Sequence, residues 1–142
     1  MNGETKRAHL KLTGGTELIP AASAAAEHFA EEAGLDVATR DLLVAACEQV
    51  CNDALAQAES NEGALEVIID QFADRIEIAI THPGVSGPAI GLDSFLGTAS
   101  GPSGASGASL LNRVDRVRYE TVGQCSRMIL VKYLPGAKKN AN

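Results

Sequence analysis

The chain has no tryptophan, and only three phenylalanines and two tyrosines among its 142 residues. Its core must therefore be built from aliphatic side chains and alanine. Cysteine is scarce and odd in number, at three, which excludes a disulfide framework and suits a reducing compartment. No run approaches the ~20 consecutive apolar residues of a membrane helix. The longest apolar-rich stretch, Leu42 to Ala58, is broken by Glu48, Gln49, Asn52 and Asp53. The polar segment Met1 to Arg7 lacks the apolar core of a secretory leader, so a cytoplasmic setting is expected. Basic residues are few, and the net charge is −6. The Lys and Arg residues are scattered in twos and threes, so no clustered surface for nucleic-acid phosphates is expected.

What is present is ordinary globular chemistry in a length that fits one domain. His9 to Thr13 alternates in polarity and predicts a strand. An Ala-rich segment predicts a helix from near Glu17 or Pro20 to about Glu32, with Gly34 as its stop. Asp36 stands at an N-cap position for a second helix. That helix carries Leu42, Leu43, Ala46, Cys47, Val50, Ala54 and Leu55 at helical spacing and ends at Asn61-Glu62-Gly63. Leu65 to Asp70 and Arg75 to Thr81 alternate as a hairpin pair. From Pro83 to Gly107 the chain is rich in Gly, Ser, Pro and Ala, with a short apolar island at Ile90 to Leu96. So long a loop is either functional or a slack insertion. Ser109 to Val114 predicts a short helix. Arg116 to Val122 and Arg127 to Leu134 predict two closing strands that turn at Gly123. The tail, Gly136 to Asn142, is expected to fray. The order β-α-α-β-β-loop-α-β-β predicts an α+β fold, a two-layer sandwich whose mixed, mostly antiparallel sheet has its helices on one face.

Two side-chain pairs on the second helix carry potential chemistry. Cys47 and Cys51, four apart, could share a metal, but no histidine is near in sequence to complete a set. Both fall on the apolar side, which favours core packing. Glu48 and Asn52 are also four apart and stack on the opposite side. They fit a solvated polar face. The other reading is a carboxylate that takes a proton beside an amide oxygen that is a hard ligand for Mg²⁺.

The ordered motifs resemble the GHKL, or histidine-kinase-like, ATPase superfamily, and most of all its anti-sigma-factor serine kinases. ACEQVCNDAL (Ala46 to Leu55) matches the N-box helix. RIEIAITHPG looks like the strand that enters the first glycine box. GASLLNRVDRVRYE, followed by SRMILVKYL, is similar to the closing helix and hairpin. The likeness spans about His9 to Leu134 and implies a Bergerat-type sandwich that binds Mg-ATP. By this resemblance Glu48 is the general base and Asn52 the metal ligand. His82, Gly84, Gly87, Gly107, Ser109 and Leu110 line the nucleotide, and the glycine-rich loop acts as a lid. The implied partners are an anti-anti-sigma protein as phosphoacceptor and a sigma factor as sequestered ligand, held by a homodimer. Three positions depart from the family pattern. His82 stands where an adenine-binding Asp is usual, Ser109 replaces a glycine, and Ala56 replaces a basic or histidine residue. These departures lend themselves to a second expectation, a module that holds a partner protein without nucleotide.

Overall fold

The computed structural model describes residues 5–13, 16–57, 65–83 and 113–135. The glycine-rich loop, residues 109–112 of the expected short helix and the tail after Pro135 lie outside the described residues.

Five strands and two helices make up the described fold: β1 (Lys6–Leu12), α1 (Ile19–Glu32), α2 (Val37–Gln57), β2 (Leu65–Gln71), β3 (Arg75–Pro83), β4 (Arg116–Val122) and β5 (Cys125–Tyr133). A single 3-10 turn, Thr16–Leu18, leads into α1. The sheet order is β1-β2-β3-β5-β4. Each of its four described pairings is antiparallel, where the sequence had suggested a mixed sheet. Two of the four follow from connectivity, since β2–β3 and β4–β5 are tight hairpins and short turns allow only antiparallel pairing; the other two join strands distant in sequence.

Strand alternation sorts the sheet into two faces. On one, Val67 pairs with Ile80, Ile69 with Ile78, Ile78 with Leu130 and Ile80 with Met128. These side chains form one buried cluster with Ile19, Ala22, Ala26 and Ala30 of α1 and Leu43, Ala46, Cys47, Val50, Cys51 and Ala54 of α2. Both helices therefore cover this face. The apolar residues of α2 recur at three- and four-residue steps, which places them on one stripe.

The other face holds polar and charged pairs. Across β1–β2, Arg7 grips Asp70 with Nε at 2.6 Å and Nη2 at 3.1 Å and His9 Nε2 hydrogen-bonds Glu66 at 2.6 Å; within β3, Arg75 meets Glu77 at 2.7 Å. Such pairs explain why β1 begins at Lys6 rather than His9. The charged residues that interrupt its apolar alternation are matched across the ladder, Arg7 opposite Asp70.

Local chemistry sets the joints. Gly34 takes φ +88° after α1. The Leu35 N–H then donates to the Ala30 carbonyl and the Gly34 N–H to the Glu31 carbonyl, both at 3.1 Å, the paired bonds of a Schellman stop. Two residues later the Thr39 N–H donates to the Asp36 carboxylate at 2.8 Å, so Asp36 caps α2 as its sequence position predicted. Hydrogen bonding from the Thr39 side chain, and then from its backbone N–H, holds the Asp36 carboxyl below its ordinary range. Gly123, at φ +62°, turns β4 into β5, with glycine first in a two-residue loop as a type II′ turn requires.

Candidate functional site

Glu48 and Asn52 both stand exposed on the side of α2 that faces away from the sheet. Glu48 does not point freely into solvent. The Ser23 hydroxyl of α1, itself 8% exposed, donates to Glu48 Oε2 at 2.7 Å. This leaves the second carboxylate oxygen available and fixes the carboxylate over the α1–α2 seam. The Asn52 amide nitrogen donates back to the Glu48 carbonyl at 3.0 Å, so the amide oxygen is the polar atom left to face outward. It has no hydrogen bond among the described residues, as a hard cation ligand requires.

On the flank of this pair, Arg113 Nη1 donates to Gln49 Oε1 at 2.7 Å. That bond ties the segment just before β4 to α2, beside Glu48. Asp53, on the same flank, is half-buried, and burial raises its carboxyl.

His82 lies elsewhere. Strand β3 runs on through His82 to Pro83, so the imidazole is part of the sheet, opposite Ser126, rather than in the loop. It is 5% exposed. Its Nδ1–H donates to the Pro83 carbonyl at 2.9 Å, so in the neutral ring the lone pair is on Nε2. Nε2 is buried with no partner among the described residues. The ring lines a narrow crevice with Val50, Ala54, Ile80, Tyr119 and Met128. Val50 and Ala54 lie on the buried side of α2, so the helix separates His82 from Glu48 and Asn52. Burial depresses the His82 pKa, and the Pro83 hydrogen bond opposes this in part. The unfolded chain therefore binds a proton near the ordinary value of 6.5 while the folded chain resists it. Stability is full above that pH and falls as the pH drops below it. In urea unfolding between pH 7.5 and 5, His82→Gln is expected to flatten this fall. An unchanged slope would show that His82 takes up its proton at the same pH in the folded and unfolded states.

Cys47 and Cys51 are both fully buried. The Cys47 thiol is pushed well above its usual range by its hydrogen bond with Cys51 and by burial. A protonated thiol in an apolar core is neither nucleophile nor metal ligand, so the pair packs the core. No cluster of three or more metal-ligating side chains occurs among the described residues. Gly84, Gly87, Gly107, Ser109 and Leu110 lie outside the described residues. The sequence therefore brought out Glu48, Asn52 and His82, of which the first two share a face. Ser23, Gln49 and Arg113 were missed. Ser23 had a faint signal as a polar residue in an alanine-rich helix. Arg113 had none, because its partner is 64 residues away.

A hollow of about 320 Å³ sits at the opposite end of α2 beside Gly34, Asp36, Thr39, Asp115 and Lys132. Asp115 is already bonded there to the Tyr133 N–H at 2.8 Å and to Lys132 Nζ at 3.3 Å. No helix of the described residues is long and apolar enough to cross a membrane. No protein-family model matches the chain, and no curated protein matches it in sequence.

Proposed function

We propose that this chain is a regulatory ATP-binding protein of the anti-sigma-factor serine-kinase type, built on a Bergerat-type sandwich. The observation that supports this reading is the pairing of Glu48 and Asn52 on the outward face of α2, with the carboxylate already oriented by Ser23. In this reading Mg-ATP lies along that face. The Asn52 amide oxygen holds the metal, and Glu48 takes the proton from the serine hydroxyl of an anti-anti-sigma partner as the γ-phosphoryl group leaves ADP. Positioning and charge do most of the work in such a transfer. A sigma factor is the sequestered ligand, the working unit is a homodimer, and the setting is the cytoplasm.

Glu48→Gln is expected to keep Mg-ATP binding and to lower phosphoryl transfer by about 10²–10⁴-fold, the usual contribution of a general base. Incorporation of label from γ-labelled ATP into the serine of an anti-anti-sigma-type protein measures it. Transfer at the wild-type rate would remove Glu48 from the role.

A second reading is favoured by His82. Sealed beneath α2 with its Nδ1–H committed to Pro83, it is poorly placed to greet an adenine amino group. This reading keeps the partner-binding role and drops the nucleotide. It predicts wild-type partner binding that ATP does not alter.

A further inference from the structure

The charges on the helical layer are lopsided. Among Lys and Arg, α1 and α2 carry only Arg40, set against Glu27, Glu31, Glu32, Asp41, Glu48 and Asp53. An anion that approaches the outward face of α2 therefore meets a repulsive field unless a cation is supplied from elsewhere. Arg113 is that cation. Most arginines of the fold are paired with a carboxylate: Arg7 with Asp70, Arg40 with Glu31, Arg75 with Asp74 and Glu77, Arg118 with Glu77 and Arg127 with Glu120. Arg113 is half-buried and donates to a neutral amide, Gln49. It makes no ion pair among the described residues.

A guanidinium carries five N–H donors in a planar fork. One serves Gln49, which fixes the plane and leaves the positive charge uncompensated. Gln49 follows Glu48 directly and lies three residues before Asn52, within ~6 Å between Cβ atoms on one helix surface. The fork is thus anchored beside the proposed base and metal ligand.

We propose that Arg113, held in place by Gln49, is the receptor for the terminal phosphate of a nucleoside triphosphate. This rests on the nucleotide reading of the Glu48–Asn52 face and adds the group that tells a triphosphate from a diphosphate. Arg113 contacts the phosphate, and Gln49 is a positioning residue that acts through it. The fork suits a tetrahedral phosphate bidentately, which a lysine cannot reproduce.

The test is calorimetric titration of Mg-ATP and Mg-ADP into wild-type protein, Arg113→Gln, Arg113→Lys and Gln49→Ala, with urea unfolding to confirm that each variant is folded. The wild type is expected to prefer ATP by roughly 10–100-fold, the range for hydrogen bonds to a charged group. Arg113→Gln should erase the preference while leaving ADP affinity intact. Arg113→Lys and Gln49→Ala should reduce it severalfold. Should Arg113→Gln fail to fold, Arg113→Lys and Gln49→Ala still decide the matter through the ATP-to-ADP ratio. Equal weakening of both nucleotides would make Arg113 structural and overturn the inference. So would an unchanged preference, which leaves the nucleotide reading standing. A wild type that binds neither nucleotide would overturn that reading and this inference together.

Discussion

Ile78→Ala is expected to destabilise the protein by about 2–5 kcal/mol, the range for an aliphatic truncation in a packed core. Ile78 is fully buried on the middle strand of the sheet, between Ile69 of β2 and Leu130 of β5, and it faces the two helices. Removal of its side chain leaves a void that three strands and α2 cannot close without breaking register. Against the ~5–15 kcal/mol that holds a typical domain together, such a loss is large. Urea unfolding should show the midpoint fall with the slope unchanged, since the same surface is exposed on unfolding. A loss under about 1 kcal/mol, the level of a tolerated swap, would mean that the helices do not seat on this face. The contrast with Ile68 is informative. Its neighbours on the ladder, His9 and Ala79, lie on the face the helices leave uncovered, so Ile68→Ala should cost clearly less.

Much of this architecture was legible before any coordinates. Gly34 and Asp36 marked the end of α1 and the start of α2, because each supplies a feature the backbone needs at that point: a positive φ and an acceptor for free N–H groups. The β2–β3 hairpin showed itself by alternation, and β4 matched its predicted limits residue for residue. Where the reading fell short, the cause was tertiary. β1 starts three residues early because Arg7 finds Asp70 across the ladder. β3 runs on to Pro83 because β5 pairs with it as far as Cys125, and no local pattern around His82 announces that. The expected mixed sheet became fully antiparallel in its described pairings, since strand direction depends on which distant strands meet.

The site was legible only in part. Helical periodicity alone put Glu48 and Asn52 on one face. Periodicity could not show that Ser23 would reach Glu48 from α1, nor that Arg113 would reach Gln49, because both contacts depend on how elements pack. His82 shows the reverse case. The sequence ended the strand at Thr81 and the resemblance set His82 against the nucleotide, whereas the strand runs on through it and buries it on the core side of α2.

These contacts frame the central claim, that the outward face of α2 is a nucleotide face. Thermal unfolding with and without Mg-ATP tests it most directly. A ligand at ~100 times its dissociation constant stabilises the folded state by ~2.7 kcal/mol, an upward shift of several degrees for a domain of this size. The account predicts that shift for the wild type at millimolar Mg-ATP, and loss of its Mg²⁺ dependence in Asn52→Ala. An unfolding temperature that Mg-ATP leaves unmoved would contradict the claim and leave the nucleotide-independent partner-binding module in its place.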